Sequence, residues 1–190
     1  AGTNQLSGQI IGGMEQNKYA KGFGNMYLSM QRGKFGLDAQ YKLVNGNLYG
    51  ESSRIANHPL ANNRVHYTDE TGQKSFGITH DYRLGMNYTF SKNHRLDVAY
   101  TGQWDKTSSN NHTTGSSISG MHLDSHEYLH NVDVNYSLPF GLTLNGSYTY
   151  YRTPQQQALD GTMHTDESMP ETERNLTSGS EQTINKWMFT

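Results

Sequence analysis

Residues 126 to 130 read "HEYLH" and carry the side chains in this chain that could do chemistry. The pattern H-E-x-x-H is typical of zinc metalloproteases, in which His126 and His130 would bind the metal and Glu127 would act as the general base. That chemistry needs a helix, because residues four apart are neighbours on a helix. On a strand the two histidines would lie about 13 Å apart, too far for one zinc ion. The surrounding element therefore decides the interpretation.

The residues after the motif, "NVDVNYSLPFG", alternate between apolar and polar and then reach a turn, which indicates a strand. No metal, cofactor or catalytic residue is therefore predicted, and we do not expect an enzyme. His122, His126 and His130 recur at every fourth residue, which places them on one face of the same strand or loop end. We interpret them as solvated or interfacial side chains near a rim, with adventitious metal capture left open.

The composition limits the classes of protein that fit. Hydrophobic residues make up 33% and charged residues 17% of the 190 residues, with 20 Gly and 13 Tyr, so material for a dense core is scarce. The formal net charge of -2 argues against nucleic acid as a partner. The chain has no cysteine, so neither a disulfide framework nor a thiolate zinc site is available. It has no apolar run long enough for a transmembrane helix, but strands of a transmembrane barrel need only about 9 to 11 alternating residues.

Alternation with a period of two dominates the chain and predicts an all-β protein. In "LDVAYTGQW", for example, Leu96, Val98 and Trp104 share one face while Asp97 and Gln103 share the other. Eight antiparallel strands are predicted in an up-and-down meander, at residues 5–14, 21–32, 34–44, 75–90, 95–105, 124–138, 142–152 and 184–190.

The connections between these strands alternate between short and long within one domain. Short turns are predicted near residues 32–34, 91–94 and 139–141, and long polar loops near 45–74, 106–123 and 153–183. Outer-membrane barrels have short periplasmic turns and long extracellular loops, so this pattern favours a transmembrane barrel. A soluble sandwich or small barrel with a structural or adhesive role is the alternative, since it also alternates apolar and polar faces.

The last predicted strand, "INKWMFT", has only 7 residues, fewer than a bilayer-crossing strand needs. A partial sheet would leave unpaired edges, which a bilayer does not tolerate. We therefore expect residues 1–190 to be a piece of a larger barrel.

A family resemblance follows from these residues. "LSGQIIGGMEQNKYAKGFGNMYLSMQRGKFGLDAQYKLVNGNLYGESSR" resembles the first barrel strands after the plug domain of TonB-dependent outer-membrane receptors, with "MQRGKFGL" at the first tight turn. "DYRLGMNYTFSKNHRLDVAYTGQW" and "LHNVDVNYSLPFGLTLNGSYTYYRT" are similar to the next hairpin units of that family. The resemblance implies nutrient uptake across the outer membrane of a Gram-negative bacterium with energy from the TonB complex. The plug domain and most barrel strands of the family have no counterpart in these residues.

This resemblance also implies the partners: membrane lipid, a plug domain, further barrel strands of the same protein, and a small-molecule, glycan or peptide substrate whose identity the loops decide. In such a barrel the polar faces of the strands would point into the lumen. The alternative is that their charges only pair across strands and stabilise the sheet. The residues predicted to face the lumen are Asp38, Lys42, Asp81, Arg83, Asp97, Asp133 and Asn145.

Overall fold

The chain folds as a single antiparallel sheet, which confirms the predicted all-β meander. The structure is a computed structural model and describes residues 4–16, 19–60, 63–115, 117–163 and 172–190. Eight strands follow one another in the sheet in the order in which they occur in the chain. They are β1 (Gln5–Gln16), β2 (Ala20–Arg32), β3 (Phe35–Leu60), β4 (Asn63–Ser91), β5 (His94–Gly115), β6 (Ser117–Ser137), β7 (Thr143–Met163) and β8 (Thr172–Phe189). The described residues of β1 and β8 do not pair with each other, so the sheet is not closed.

The strands are longer than the sequence predicted, and the prediction of long loops differs from the structure. Strand β3 has 26 residues and β4 has 29, so strands occupy the described parts of residues 45–74. The same holds for 106–123, where β5 pairs with β6, and for the described parts of 153–183, where β7 pairs with β8. Both faces of these extensions carry many polar residues, so the alternation that reveals a strand is lost although the ladder continues.

The eighth strand also differs from its prediction. Strand β8 has 18 residues, from Thr172 to Phe189, rather than the 7 expected over residues 184–190. Backbone hydrogen bonds between Asn145 and Thr190 extend the pairing with β7 to the last residue, at N···O distances of 2.8 and 3.1 Å. The shortness of this strand therefore no longer supports the expectation that residues 1–190 are a piece of a larger barrel.

Three short connections lie at one end of the sheet, which we call the short-turn end. Arg32 pairs with Phe35 across a two-residue loop, and Gly33 takes its first position with a φ of 59°, the conformation that a type II′ hairpin turn requires. Ser91 pairs with His94 across a second two-residue loop. Between β6 and β7 the loop closes with Gly141 at a φ of 84°. The opposite end, where β3 meets β4 and β5 meets β6, is called the long-hairpin end.

The strand register divides the sheet into two faces, because directly paired residues point to the same side. Leu37, Met86, Val98 and Val134 are paired in sequence across β3 to β6 and define the apolar face. Asn87, Asp97, Asn135 and Asn145 are paired in the same way across β4 to β7 and define the polar face.

No hydrophobic side chain is buried among the described residues, so the sheet has no core of its own. Ile10 is 81% exposed and Trp187 65% exposed, both on the apolar face. The described strands make one layer rather than the two packed layers of a sandwich. A single layer with such an apolar face needs a second apolar phase or partner to cover it. No helix in the described part of the chain is long and apolar enough to cross a membrane.

Candidate functional site

The "HEYLH" motif lies inside β6 rather than on a helix, so its histidines do not have the spacing of a zinc site. His122, His126 and His130 do share a face, as predicted. His130 is hydrogen-bonded to Tyr100 (Nδ1···Oη 2.7 Å) and His122 to Asn110 (Nδ1···Oδ1 2.6 Å). No group of three or more His, Asp or Glu side chains is arranged to hold a metal ion within the described ranges.

The register brings the residues predicted to face a lumen onto one face of the sheet. Each of them belongs to the polar face, on β3, β4, β5, β6 or β7: Asp38, Lys42, Asp81, Arg83, Asp97, Asp133 and Asn145. We call this set the polar-face cluster. That the face borders a lumen remains a prediction.

One ion pair and one cross-strand pair of opposite charges link members of this cluster. Lys42 lies directly opposite Asp81 in the β3–β4 ladder. Arg83 Nε lies 3.7 Å from Asp38 Oδ2, and both side chains are solvated, at 57% and 36% exposure. Such exposed pairs are worth at most about 1 kcal/mol each. They support the sheet-stabilising alternative for these residues without removing their capacity to bind a polar partner.

Glycine makes room for one of these carboxylates. A Cβ on Gly85, which pairs with Asp38, would overlap the Asp38 carboxylate. Gly85 therefore lets the carboxylate lie flat over β4, next to Arg83. A strand glycine that accepts a close neighbour is a common use of this residue.

A shallow groove of about 490 Å³ runs over the polar face near the short-turn end. Five members of the polar-face cluster line it: Asp38, Arg83, Asp97, Asp133 and Asn145. Lys42 and Asp81 lie outside the groove, nearer the long-hairpin end.

Sequence reasoning missed Arg95, which also lines this groove. Its guanidinium donates to Asp97 Oδ1 and Oδ2 at 2.7 to 2.9 Å. Arg95 stands two residues before Asp97, so the period of two that selected Asp97 would also have found it. Asp105 and Glu127 follow the same rule, since they are directly paired on the polar face.

The apolar face is bounded by two rows of aromatic side chains. Phe35, Tyr88 and Tyr136 lie near the short-turn end, where Phe90 stacks on His94 with ring centroids 4.4 Å apart. The second row lies toward the long-hairpin end and is formed by His80, Trp104 and Tyr128. On β4, His80 stands eight residues before Tyr88 of the first row. Eight residues of strand span about 26 Å, or about 20 Å along the normal for a strand tilted by about 40°. This is close to the height of about 25 Å of the apolar band of an outer-membrane barrel.

Several polar side chains within the apolar band are hydrogen-bonded to one another. Tyr41 is hydrogen-bonded to His80 (Oη···Nδ1 2.7 Å), and His94 to Tyr136 (Nε2···Oη 2.7 Å). The Tyr148 hydroxyl donates to Asn185 Oδ1 at 2.9 Å. Pairing of this kind removes the cost of several kcal/mol that an unsatisfied polar group meets in a hydrocarbon phase.

Beyond the second aromatic row the apolar face becomes polar. The next positions on β5 and β6 are Lys106 and His126, and Asp124 follows. The Ser108 side chain, through its hydrogen bond, and then His122 hold the pKa of Asp124 below its ordinary value. Charged groups of this kind belong in water, so the apolar band ends at this level.

Comparison with known proteins gives a likeness in fold. No family model matches the sequence, and no curated protein matches it. Among solved structures, the ferric yersiniabactin uptake receptor FyuA of Yersinia pestis matches 89% of this chain at 8% identity, with a TM-score of 0.50. The chain spans about a quarter of that receptor, since the match covers 25% of its length.

A second solved structure is a major outer membrane protein from Thermus thermophilus, covered over 97% of both chains at 8% identity with a TM-score of 0.35. Of these two matches, the one to FyuA has a TM-score that bears on the fold. It supports an all-β, eight-stranded antiparallel meander, not closed, that matches a quarter of a receptor barrel.

Proposed function

We propose that this chain is a barrel segment of a TonB-dependent outer-membrane receptor that takes up a nutrient in a Gram-negative bacterium. The observation that carries the proposal is the meander itself. Its apolar face is bounded by two aromatic rows at bilayer spacing, and its fold matches a quarter of a ferric yersiniabactin uptake receptor.

The polar-face cluster then borders the lumen. Its charges lie at the level of the apolar band, between the two aromatic rows, where a plug domain of the same protein would be in contact with the barrel wall. The groove lined by Asp38, Arg83 and Arg95 offers both charge signs to such a partner. Exposed pairs cost little to rearrange, so they can exchange partners when a plug moves.

Topology is the first test of this proposal. The chain has no cysteine, so each introduced cysteine is a unique label. In intact cells that express the protein with its native flanking sequence, a membrane-impermeant maleimide should label Asn110→Cys, near the long-hairpin end. It should label Asn93→Cys, in a short turn, only after the cells are lysed. Labelling of both positions, or of Asn93→Cys alone, in intact cells would contradict the proposed orientation.

Coupling to energy is the second test. In the same cells, formaldehyde should cross-link the protein to TonB, seen as a shifted band on an immunoblot with antibodies to both proteins. The Asn93→Cys and Asn110→Cys variants serve as controls for expression and membrane extraction. A protein that is inserted with the expected orientation but never cross-links to TonB would be a barrel of another function.

A further inference from the structure

Beyond the second aromatic row, toward the long-hairpin end, the two faces of the sheet differ in charge. On β4 to β8, toward the long-hairpin end, a continuous part of the polar face carries only glycine and hydroxyl, amide and apolar side chains. We call this surface the hairpin wall: Thr71, Gln73, Ser75, Gly77, Thr107, Ser109, Asn111, Thr113, Ser119, Met121, Leu123, Ser125, Gln155, Gln157, Leu159, Leu176, Ser178 and Ser180. None of these is Asp, Glu, Lys, Arg or His.

Charged residues are present on the other side of the same strand segments. The face opposite the hairpin wall carries Lys74, Lys106, Asp124 and Glu181. Solubility would favour charged residues on both faces of these strand segments. The absence of charge from the hairpin wall alone therefore needs another explanation.

Charged residues also mark the borders of the hairpin wall. Nearer the short-turn end the polar face is charged again, beginning with Asp105 and Glu127. Strand β3 continues the neutral surface with Gly46, Leu48, Gly50 and Ser52, and Arg54 follows opposite Asp69 toward the long-hairpin end. Charged residues therefore bound the neutral surface toward the short-turn end, and toward the long-hairpin end on β3 and β4.

Hydrogen bonds between side chains hold the wall in a fixed arrangement. Ser109 is only 6% exposed, accepts from Gln73 Nε2 at 3.2 Å and bonds Ser75 at 2.9 Å. Thr71 and Thr113 hydroxyls lie 2.9 Å apart. Asn111 Oδ1 is buried with no hydrogen-bond partner in the described part of the chain. The wall is thus a rigid sheet surface about 20 Å wide with polar groups already oriented.

We propose that the hairpin wall binds a neutral oligosaccharide. This inference rests on the proposed function and names the substrate class for that receptor. Hydroxyl and amide side chains donate and accept hydrogen bonds in many directions, which suits a ligand with hydroxyl groups along its length. Met121, Leu123 and Leu159 add apolar contacts for its C–H groups. The backbone of the wall is paired on both sides of β4, β5, β6 and β7, so side chains supply the groups for recognition on these strands.

Charge argues against the other substrate classes. An anionic metal chelate would find no cation on the hairpin wall, and a peptide with free termini would find no counter-ion for them. Desolvating such a charge without a partner costs several kcal/mol. A neutral saccharide brings no charge to desolvate.

The run Gln155-Gln156-Gln157 supplies a matched pair of variants, because Gln157 is on the wall and Gln156 is on the opposite face. Gln157→Glu keeps the size of the side chain, replaces the amide donor by an acceptor and adds a charge. The full protein in lipid nanodiscs would be titrated by calorimetry with maltohexaose, cellohexaose and xylohexaose, and with hexagalacturonate and a hexapeptide with free termini.

We expect at least one neutral hexasaccharide to bind, and Gln157→Glu to weaken it about tenfold, whereas Gln156→Glu leaves it within about twofold. Binding of hexagalacturonate or the peptide instead, binding of none of the probes, or equal effects of the two variants would overturn the inference. Insertion of the protein into the same nanodiscs is checked by lipid quenching of its tryptophans. If the protein is inserted but no saccharide binds, the result counts against this inference alone. Failure to insert would overturn the proposed function and this inference with it.

Discussion

At the residue scale, glycines in the strands decide where the large side chains lie. A Cβ on Gly102 would overlap the ring of Tyr82, which covers it on the apolar face. Glycine covered by a cross-strand aromatic is a known device of β-sheets. The alternation of the sequence predicts both strands, but it gives no register, so the contact could not be predicted.

Gly102→Ala should lower the free energy of unfolding in detergent micelles by about 1 to 3 kcal/mol, because the Tyr82 ring must move away. Gly24→Ala, on the same face with nothing within 4 Å of the added Cβ, should change it by less than about 0.5 kcal/mol. In a Tyr82→Ala background the cost of Gly102→Ala should vanish. A cost that persists there would mean that the backbone rather than the ring is responsible.

Asp124 gives a dependence on pH. Its pKa is lowered by the Ser108 hydrogen bond and by His122, so its ionised form is preferred in the folded chain. A lowered pKa contributes stability that is present above the ordinary value of 3.8 and is lost as the pH falls through the lowered pKa.

Asp124→Asn should therefore lose stability at pH 7 relative to the native chain and differ little from it near pH 2, as measured by urea unfolding at both values. Ser108→Ala should raise the pKa of Asp124 toward its ordinary value, as followed by the NMR shift of its carboxyl carbon. An unchanged carboxyl titration in Ser108→Ala would show that the hydrogen bond does not set this pKa.

At the element scale, the middle of each strand could be predicted and its outer part could not. Over residues 95–105 of β5, alternation is strong because one face is apolar, and it predicts the strand correctly. Beyond Lys106 both faces are polar, so "KTSSNNHTTG" has no alternation and reads as a loop, although it is paired on both sides with β4 and β6. Backbone hydrogen bonds to β4 and β6 keep this segment in the sheet. Because these bonds depend on the neighbouring strands, a single sequence does not reveal them.

Hydrogen exchange distinguishes a strand from a loop in this region. Backbone amides of Thr107 to Asn111 should be protected within about tenfold of those of Val98 to Thr101, because both sets lie inside the sheet. Exchange can be followed by mass spectrometry of peptic fragments from nanodisc samples. Complete exchange of residues 107–111 within seconds, with 98–101 still protected, would restore the loop interpretation.

The polar-face cluster illustrates the same division between what was and was not predictable. Its shared face follows from parity within each strand, so residues such as Asp97 and Asp133 can be selected from the sequence alone. Their neighbours across strands depend on register, and so the Arg83–Asp38 pair and the groove between them could not be predicted.

At the scale of the whole molecule, we propose that lipid covers the apolar face. The sheet has no core among its described residues, and large apolar side chains such as Leu6, Ile10 and Phe189 are exposed on this face. An isolated sheet of this kind would aggregate in water, whereas a bilayer supplies the missing apolar phase. The fold and the aromatic spacing are consistent with this environment, and the two tryptophans report on it directly.

Trp187 lies inside the apolar band, at the level of Tyr100 on β5. Trp104 lies four residues further along β5, in the aromatic row toward the long-hairpin end. Two variants with one tryptophan each, Trp104→Phe and Trp187→Phe, would be reconstituted in vesicles of lipids brominated at different depths. We predict that Trp187 is quenched most by bromines near the chain ends and Trp104 by bromines about 10 Å shallower. Quenching of both tryptophans by aqueous iodide, with no effect of the brominated lipids, would contradict a lipid-covered apolar face.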